Sequence, residues 1–256
     1  MGMRQLSLIL VFSSLLGCVS EGPTRPLDTE QGRREARDAY VKLGLAYLQQ
    51  GSTSRAKLPL SKALELDPNS AETHAALALV FQTELETKLA DQHYRQAISA
   101  NPTARILNNY GSFLYDQGRY EEALARFQQA TNDPLYQERG RVFENLGLTS
   151  LKLGQTEQAR EYFNRALRLD NQQPMVLLEL AALSYDSKDY IVAKRYYDQY
   201  RVQQTNQQTL PARSLLLGIR LGRVFQDQNQ IKILSMQLQR FYPASPEYNT
   251  YLSEQQ

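Results

Sequence analysis

Cysteine is almost missing from this chain: Cys18 stands alone among 256 residues, which excludes an intramolecular disulfide and any cysteine-rich metal site. Histidine is nearly as scarce. The two rings, His74 and His93, have no acidic cluster at ligand spacing beside them, so both are read as packed or solvated, and neither a metal nor a cofactor is expected. A charge of one sign is also lacking: 29 Lys and Arg against 27 Asp and Glu leave +2, which gives no global field to draw in nucleic acid. Paired carboxylates at catalytic spacing are absent as well. Glu121 and Glu122 are adjacent on a predicted helix, so they point about 100° apart and cannot flank one bond. The chain is therefore expected not to be an enzyme and to have no catalytic residues. "RREAR" at Arg33 lacks the interleaved aromatics that would stack on bases. "GIRLG" at Gly218 has membrane-dimer spacing, but Arg220 and Arg223 exclude a span and favour close helix packing. What remains, with 42% hydrophobic and 22% charged residues, is the composition of a globular protein with a continuous core.

The only long apolar run, Leu6 to Leu16, is too short to cross a bilayer and follows Arg4, as in a secretory signal peptide spanning residues 1–17. Leu15-Leu16-Gly17-Cys18 resembles a bacterial lipobox, which implies that Cys18 is acylated and becomes the first mature residue. Val19 stands where an aspartate would retain such a protein in the inner membrane, so the resemblance implies the periplasmic face of the outer membrane. Several acyl chains give stable anchoring, because each buried CH₂ contributes about 0.8 kcal/mol. Residues 18–36, rich in charge, proline and glycine, are read as a flexible tether.

Past the tether the sequence repeats. Ala56, Ala90, Ala123, Ala159 and Ala193 are 34, 33, 36 and 34 residues apart, and each is followed four residues later by Leu60, Tyr94, Phe127, Phe163 or Tyr197. Ala63, Ala97, Ala130 and Ala166 add a second small position, and Pro68 and Pro102 close the first two units. An apolar-small pair marks the first helix of each of six units: Leu43-Gly44, Leu77-Ala78, Tyr110-Gly111, Leu146-Gly147, Leu180-Ala181 and Leu217-Gly218. Small residues let two helices cross closely, the bulky residue one turn on fills the gap to the next unit, and proline ends the second helix. This resembles the tetratricopeptide repeat, a helix-turn-helix unit of about 34 residues. The expected fold is all-α, a right-handed superhelical solenoid of six such repeats over 37–244, bounded at 70, 103, 139, 173 and 210, with a tail over 245–256. Tyr200 and Gln230 depart from the small positions, and the sixth unit is expected to be a cap.

In this family the second, fifth, ninth, twelfth and thirteenth residues of each unit face a concave groove. The resemblance places Asp38, Val41, Leu45, Leu48 and Gln49, then Glu72, Ala75, Leu79, Gln82 and Thr83, at one rather apolar end. Arg105, Asn108, Ser112, Tyr115 and Asp116 follow as a polar stretch, and Leu148, Leu151, Met175, Leu178 and Ala182 are apolar again. Val41 and Leu45 stand where carboxylate-gripping members of the family carry Lys and Asn, which argues against that kind of clamp. The expected partner-binding strip is Val41, Leu45, Leu48, Ala75 and Leu79.

"LNNYGSFLYDQGRYEEA", "LYQERGRVFENLGL", "ARSLLLGIRLGRVF" and "LQRFYPASPEY" hold residues the repeat does not require. They resemble the type IV pilus biogenesis and stability lipoproteins, the PilF/PilW family. The resemblance implies an outer-membrane pilotin that binds subunits of the secretin PilQ and promotes their assembly into a ring; the chain itself is expected to be a monomer. The alternative is a lipid-anchored scaffold for another outer-membrane machine, serving barrel assembly or peptidoglycan enzymes.

Overall fold

The computed structural model describes residues 26–204 and 209–255. Cys18 and the signal segment lie outside the described residues. Two compact units divide the chain after Pro68.

In the first unit, α1 (Glu30–Gln49) and α2 (Thr53–Leu66) form a hairpin. Helix α1 starts within the stretch read as tether. The Thr29 hydroxyl accepts from the Gly32 amide at 2.9 Å, a side-chain cap that fixes the start at Glu30, so residues 30–36 are helical. Arg37 then pairs with Asp38 at 2.8 Å and with Asp67 at 2.6 Å, tying the first helix to the end of the second. Where the helices cross, a Cβ on Gly44 would sit 2.6 Å from Leu60 Cγ, so only glycine permits the approach. Ala56, Leu60 and Ala63 are fully buried.

The second unit repeats this hairpin five times. Its pairs are α3 (Ala71–Thr83) with α4 (Thr87–Ala100), α5 (Ala104–Asp116) with α6 (Tyr120–Ala130), and α7 (Arg139–Lys152) with α8 (Thr156–Leu169). Next come α9 (Pro174–Asp186) with α10 (Tyr190–Gln203) and α11 (Ala212–Val224) with α12 (Gln228–Phe241); a short α13 (Pro246–Ser253) follows within the segment read as a tail. Thirteen α-helices and no strand are present among the described residues. Ser70, Thr103 and Ser245 cap α3, α5 and α13 with their hydroxyls, and Pro174 opens α9 with its ready-made φ.

The expected packing code holds. Ala90, Ala123, Ala159 and Ala193 are fully buried, as are Tyr94, Phe163 and Tyr197, with Phe127 1% exposed. The bulky residues also fill the crossing of their own hairpin: a Cβ on Gly111 would lie 2.6 Å from Phe127, and one on Gly147 2.3 Å from Phe163. Tyr94 stacks on Tyr110 of the next repeat at 5.1 Å and donates its hydroxyl to Gln82 at 2.9 Å. Both departures are accommodated. Tyr200 is buried, and Gln230 donates its amide to the Gly218 carbonyl at 2.7 Å, so a polar side chain at the crossing leaves no unmet donor there.

Candidate functional site

The first helix of each repeat carries the candidate surface. On α1, Val41, Leu45 and Leu48 recur at helical spacing and share one face. Val41 is 7% exposed, while Leu45 and Leu48 are half-buried. On α3 of the second unit, Ala75 is buried, and Leu79 is half-buried against the main core cluster. The half-buried leucines are thus the members of the proposed strip with apolar surface still open to water.

Along the second unit the wall turns polar. The Asn145 amide donates to Asn108 Oδ1 at 3.0 Å, joining α7 to α5. Beside this pair lies a concavity of about 250 Å³ lined by Ser112, Tyr115, Asp116, Phe127, Asn145 and Leu148. Burial pushes the Tyr115 phenol up, and Tyr120, Glu179 and Asp116 push it the same way. Leu178 is buried and Ala182 half-buried, whereas Met175 is 47% exposed. Sequence reasoning missed Glu179, a buried carboxylate on α9 that Arg213 of α11 grips with two nitrogens, Nη2 to Oε2 at 2.8 Å. The signal was available as opposite charges 34 residues apart, one repeat length.

The two histidines meet. His74 Nδ1 and His93 Nδ1 are 2.9 Å apart, so one ring donates and the other accepts, and Phe81 stacks on His93 at 5.3 Å. Burial, and then the neighbouring His74, hold His93 below its ordinary value. Among the described residues no three metal-ligating side chains converge.

The tetratricopeptide repeat family matches residues 38–70, 102–172 and 140–207, and the first match covers α2 and all but the first eight residues of α1. Over 255 residues, 99% of this chain and 100% of the relative, the sequence is 53% identical to the type IV pilus assembly protein PilF of Pseudomonas aeruginosa. The chain belongs to the PilF family of type IV pilus assembly proteins. A solved structure of P. aeruginosa PilF superposes with a TM-score of 0.83 at 54% identity, covering 87% of this chain and 99% of that one. The crystal structure of PilW, a widely conserved type IV pilus biogenesis factor, gives 0.71 at 29% identity over 85% and 99%. The chain is thus a tetratricopeptide-repeat protein of a pilus-assembly family. No described helix is long and apolar enough to cross a membrane.

Proposed function

We propose that this protein is an outer-membrane lipoprotein that acts as a pilotin: anchored through acyl chains on Cys18, it binds secretin subunits of the PilQ type and promotes their multimerisation. Membership of the PilF family supplies the pilus context. The observation that carries the binding site is the half-buried apolar face of α1, with Leu45 and Leu48 open beside Val41. On α3, Leu79 is likewise half-buried, beside the closed Ala75. An amphipathic segment can lay its apolar side chains along either helix while polar rims set the register, and a few buried anchors then carry the affinity.

The test is co-purification from detergent-solubilised membranes. The wild-type protein should bring down secretin subunits, and Leu45→Glu or Leu79→Glu should lose them, because a charge buried without a partner costs several kcal/mol on binding. Arg34→Ala, on an exposed side chain, should leave capture intact. Recovery of barrel-assembly or peptidoglycan components in place of secretin would overturn the proposal.

A further inference from the structure

One end of the second unit's wall is occupied by the chain itself. On α11, Arg220 and Arg223 stand one turn apart, and both converge on Glu254, which caps the end of α13. Arg220 Nε and Nη2 reach Oε1 at 2.8 and 2.5 Å, and Arg223 Nη1 reaches Oε2 at 2.7 Å. Each carboxylate oxygen is therefore held by its own guanidinium. The Arg223 guanidinium also lies over the Tyr251 ring at 5.6 Å.

The helix that delivers this carboxylate is weakly founded. Helix α13 has eight residues, none of them buried, and a helix that short does not persist alone in water. Its glutamate sits at the C-terminal end, where the helix dipole disfavours a negative charge. Yet α13 closes a surface that stays open elsewhere. The ninth residues of the preceding repeats, Leu79, Ser112, Leu148 and Ala182, are half-buried, whereas Ile219 in the sixth repeat is fully buried. Tyr248 and Tyr251 of α13 pack on the cluster that contains Ile219 and Leu215. Aromatic contact with an apolar patch and a carboxylate between two arginines are how an acidic peptide would bind there.

We propose that Arg220 and Arg223, with the Leu215–Ile219 face, form a binding site for an acidic peptide segment, and that α13 is its resident competitor. Two guanidiniums face one carboxylate, so the pair retains positive charge while occupied, and a segment with several carboxylates complements it better than Glu254 does. The site is separate from the α1 and α3 faces and does not rest on the pilotin assignment.

The probe is a fluorescein-labelled twelve-residue peptide of alternating Glu and Ala, with a Gln-for-Glu peptide as control, titrated against the full chain by anisotropy at low salt. Releasing an internal competitor raises the apparent affinity by the inverse of the open fraction. Glu254→Gln should accordingly bind the acidic peptide about three- to tenfold more tightly than wild type. Arg220→Ala with Arg223→Ala should weaken binding at least about tenfold, and the Gln peptide should bind no variant. Amide exchange of residues 247–253 should accelerate when the acidic peptide is added to wild type. If Glu254→Gln frees α13 by exchange but binds no more tightly, or if the Gln peptide binds equally well, Glu254 only staples α13 and the proposal fails.

Discussion

The turn between the two helices of each hairpin needs one residue in the left-handed region, and the chain meets that need in two ways. Gly51, Gly118 and Gly154 adopt φ of 73°, 73° and 72°, while Leu85, Lys188 and Gln226 are held at 61°, 63° and 58° in the matching turns. The turn is the same in each. The amide of the left-handed residue bonds back three residues, from Gly118 to Tyr115 at 2.9 Å and from Leu85 to Gln82 at 3.1 Å. A residue with a Cβ costs about 1–2 kcal/mol in this conformation, and glycine returns about 0.5–1 of that through the freedom it gives the unfolded chain. Leu85 is 86% exposed, so removing its side chain forfeits little packing. Leu85→Gly should therefore stabilise the protein by about 0.5–1 kcal/mol. Lys188→Gly and Gln226→Gly should do the same, and the three together should approach about 2 kcal/mol, because separated sites add. Gly118→Ala is the mirror experiment. Its new Cβ would meet nothing within 4 Å, so a loss of about 1 kcal/mol would be purely conformational. The assay is urea denaturation at constant slope, with Leu85→Ala as the control that keeps the strained backbone and should change stability by less than about 0.5 kcal/mol. If Leu85→Gly is neutral or destabilising while Leu85→Ala is neutral, the strain does not exist.

Three further outcomes are expected. Ala123→Leu or Ala159→Leu places extra volume at a closed helix crossing and should cost about 1–3 kcal/mol, whereas Leu45→Glu on a half-buried face should hardly move the melting temperature; equal losses would show that the helix register is wrong. Burial opposes ionisation of Asp91, but hydrogen bonds from Arg119, Tyr110 and Arg95 outweigh it and hold the carboxyl below its usual range. That contribution is complete above the unfolded value of about 3.9 and is lost as pH falls through the folded one, so Asp91→Asn should cost about 1–2 kcal/mol at pH 7 and the gap should close below about pH 4 in pH-dependent denaturation. Cys18→Ser should move the protein from the outer-membrane fraction to the soluble periplasm on fractionation, and retention in the membrane would refute the lipid anchor.

The hairpins were legible because their determinants are steric and local. An alanine at a crossing and an aromatic one turn later must recur wherever two helices touch, so Ala90 with Tyr94 and Ala159 with Phe163 could be read from spacing alone. Glu30 to Ala36 carry no apolar period, so periodicity starts α1 too late; Thr29 as a cap is the available signal. Ser245 followed by Pro246 is a comparable signal for α13, where spacing alone gives only a tail. Burial at the expected groove positions is not legible from spacing. Val41 and Ala75, at expected groove positions, are nearly closed, whereas Leu45 and Leu79 stay half-open; Ala75 is clustered with Ala97 and Ile106, neighbours distant in sequence. The grip of Arg213 on Glu179 and of Arg220 on Glu254 lies across one repeat length, where opposite charges become neighbours only once α11 packs against α9 and α13.

The most direct test of the central claim is the state of the secretin in cells whose only copy of this protein carries Leu45→Glu. Outer-membrane fractions, probed for multimeric and monomeric secretin, should show monomer accumulating and the ring lost, together with surface pili and twitching, while the variant remains folded and membrane-bound. A folded, membrane-bound Leu45→Glu protein that supports multimers at the wild-type level would contradict the account and place the partner on another face.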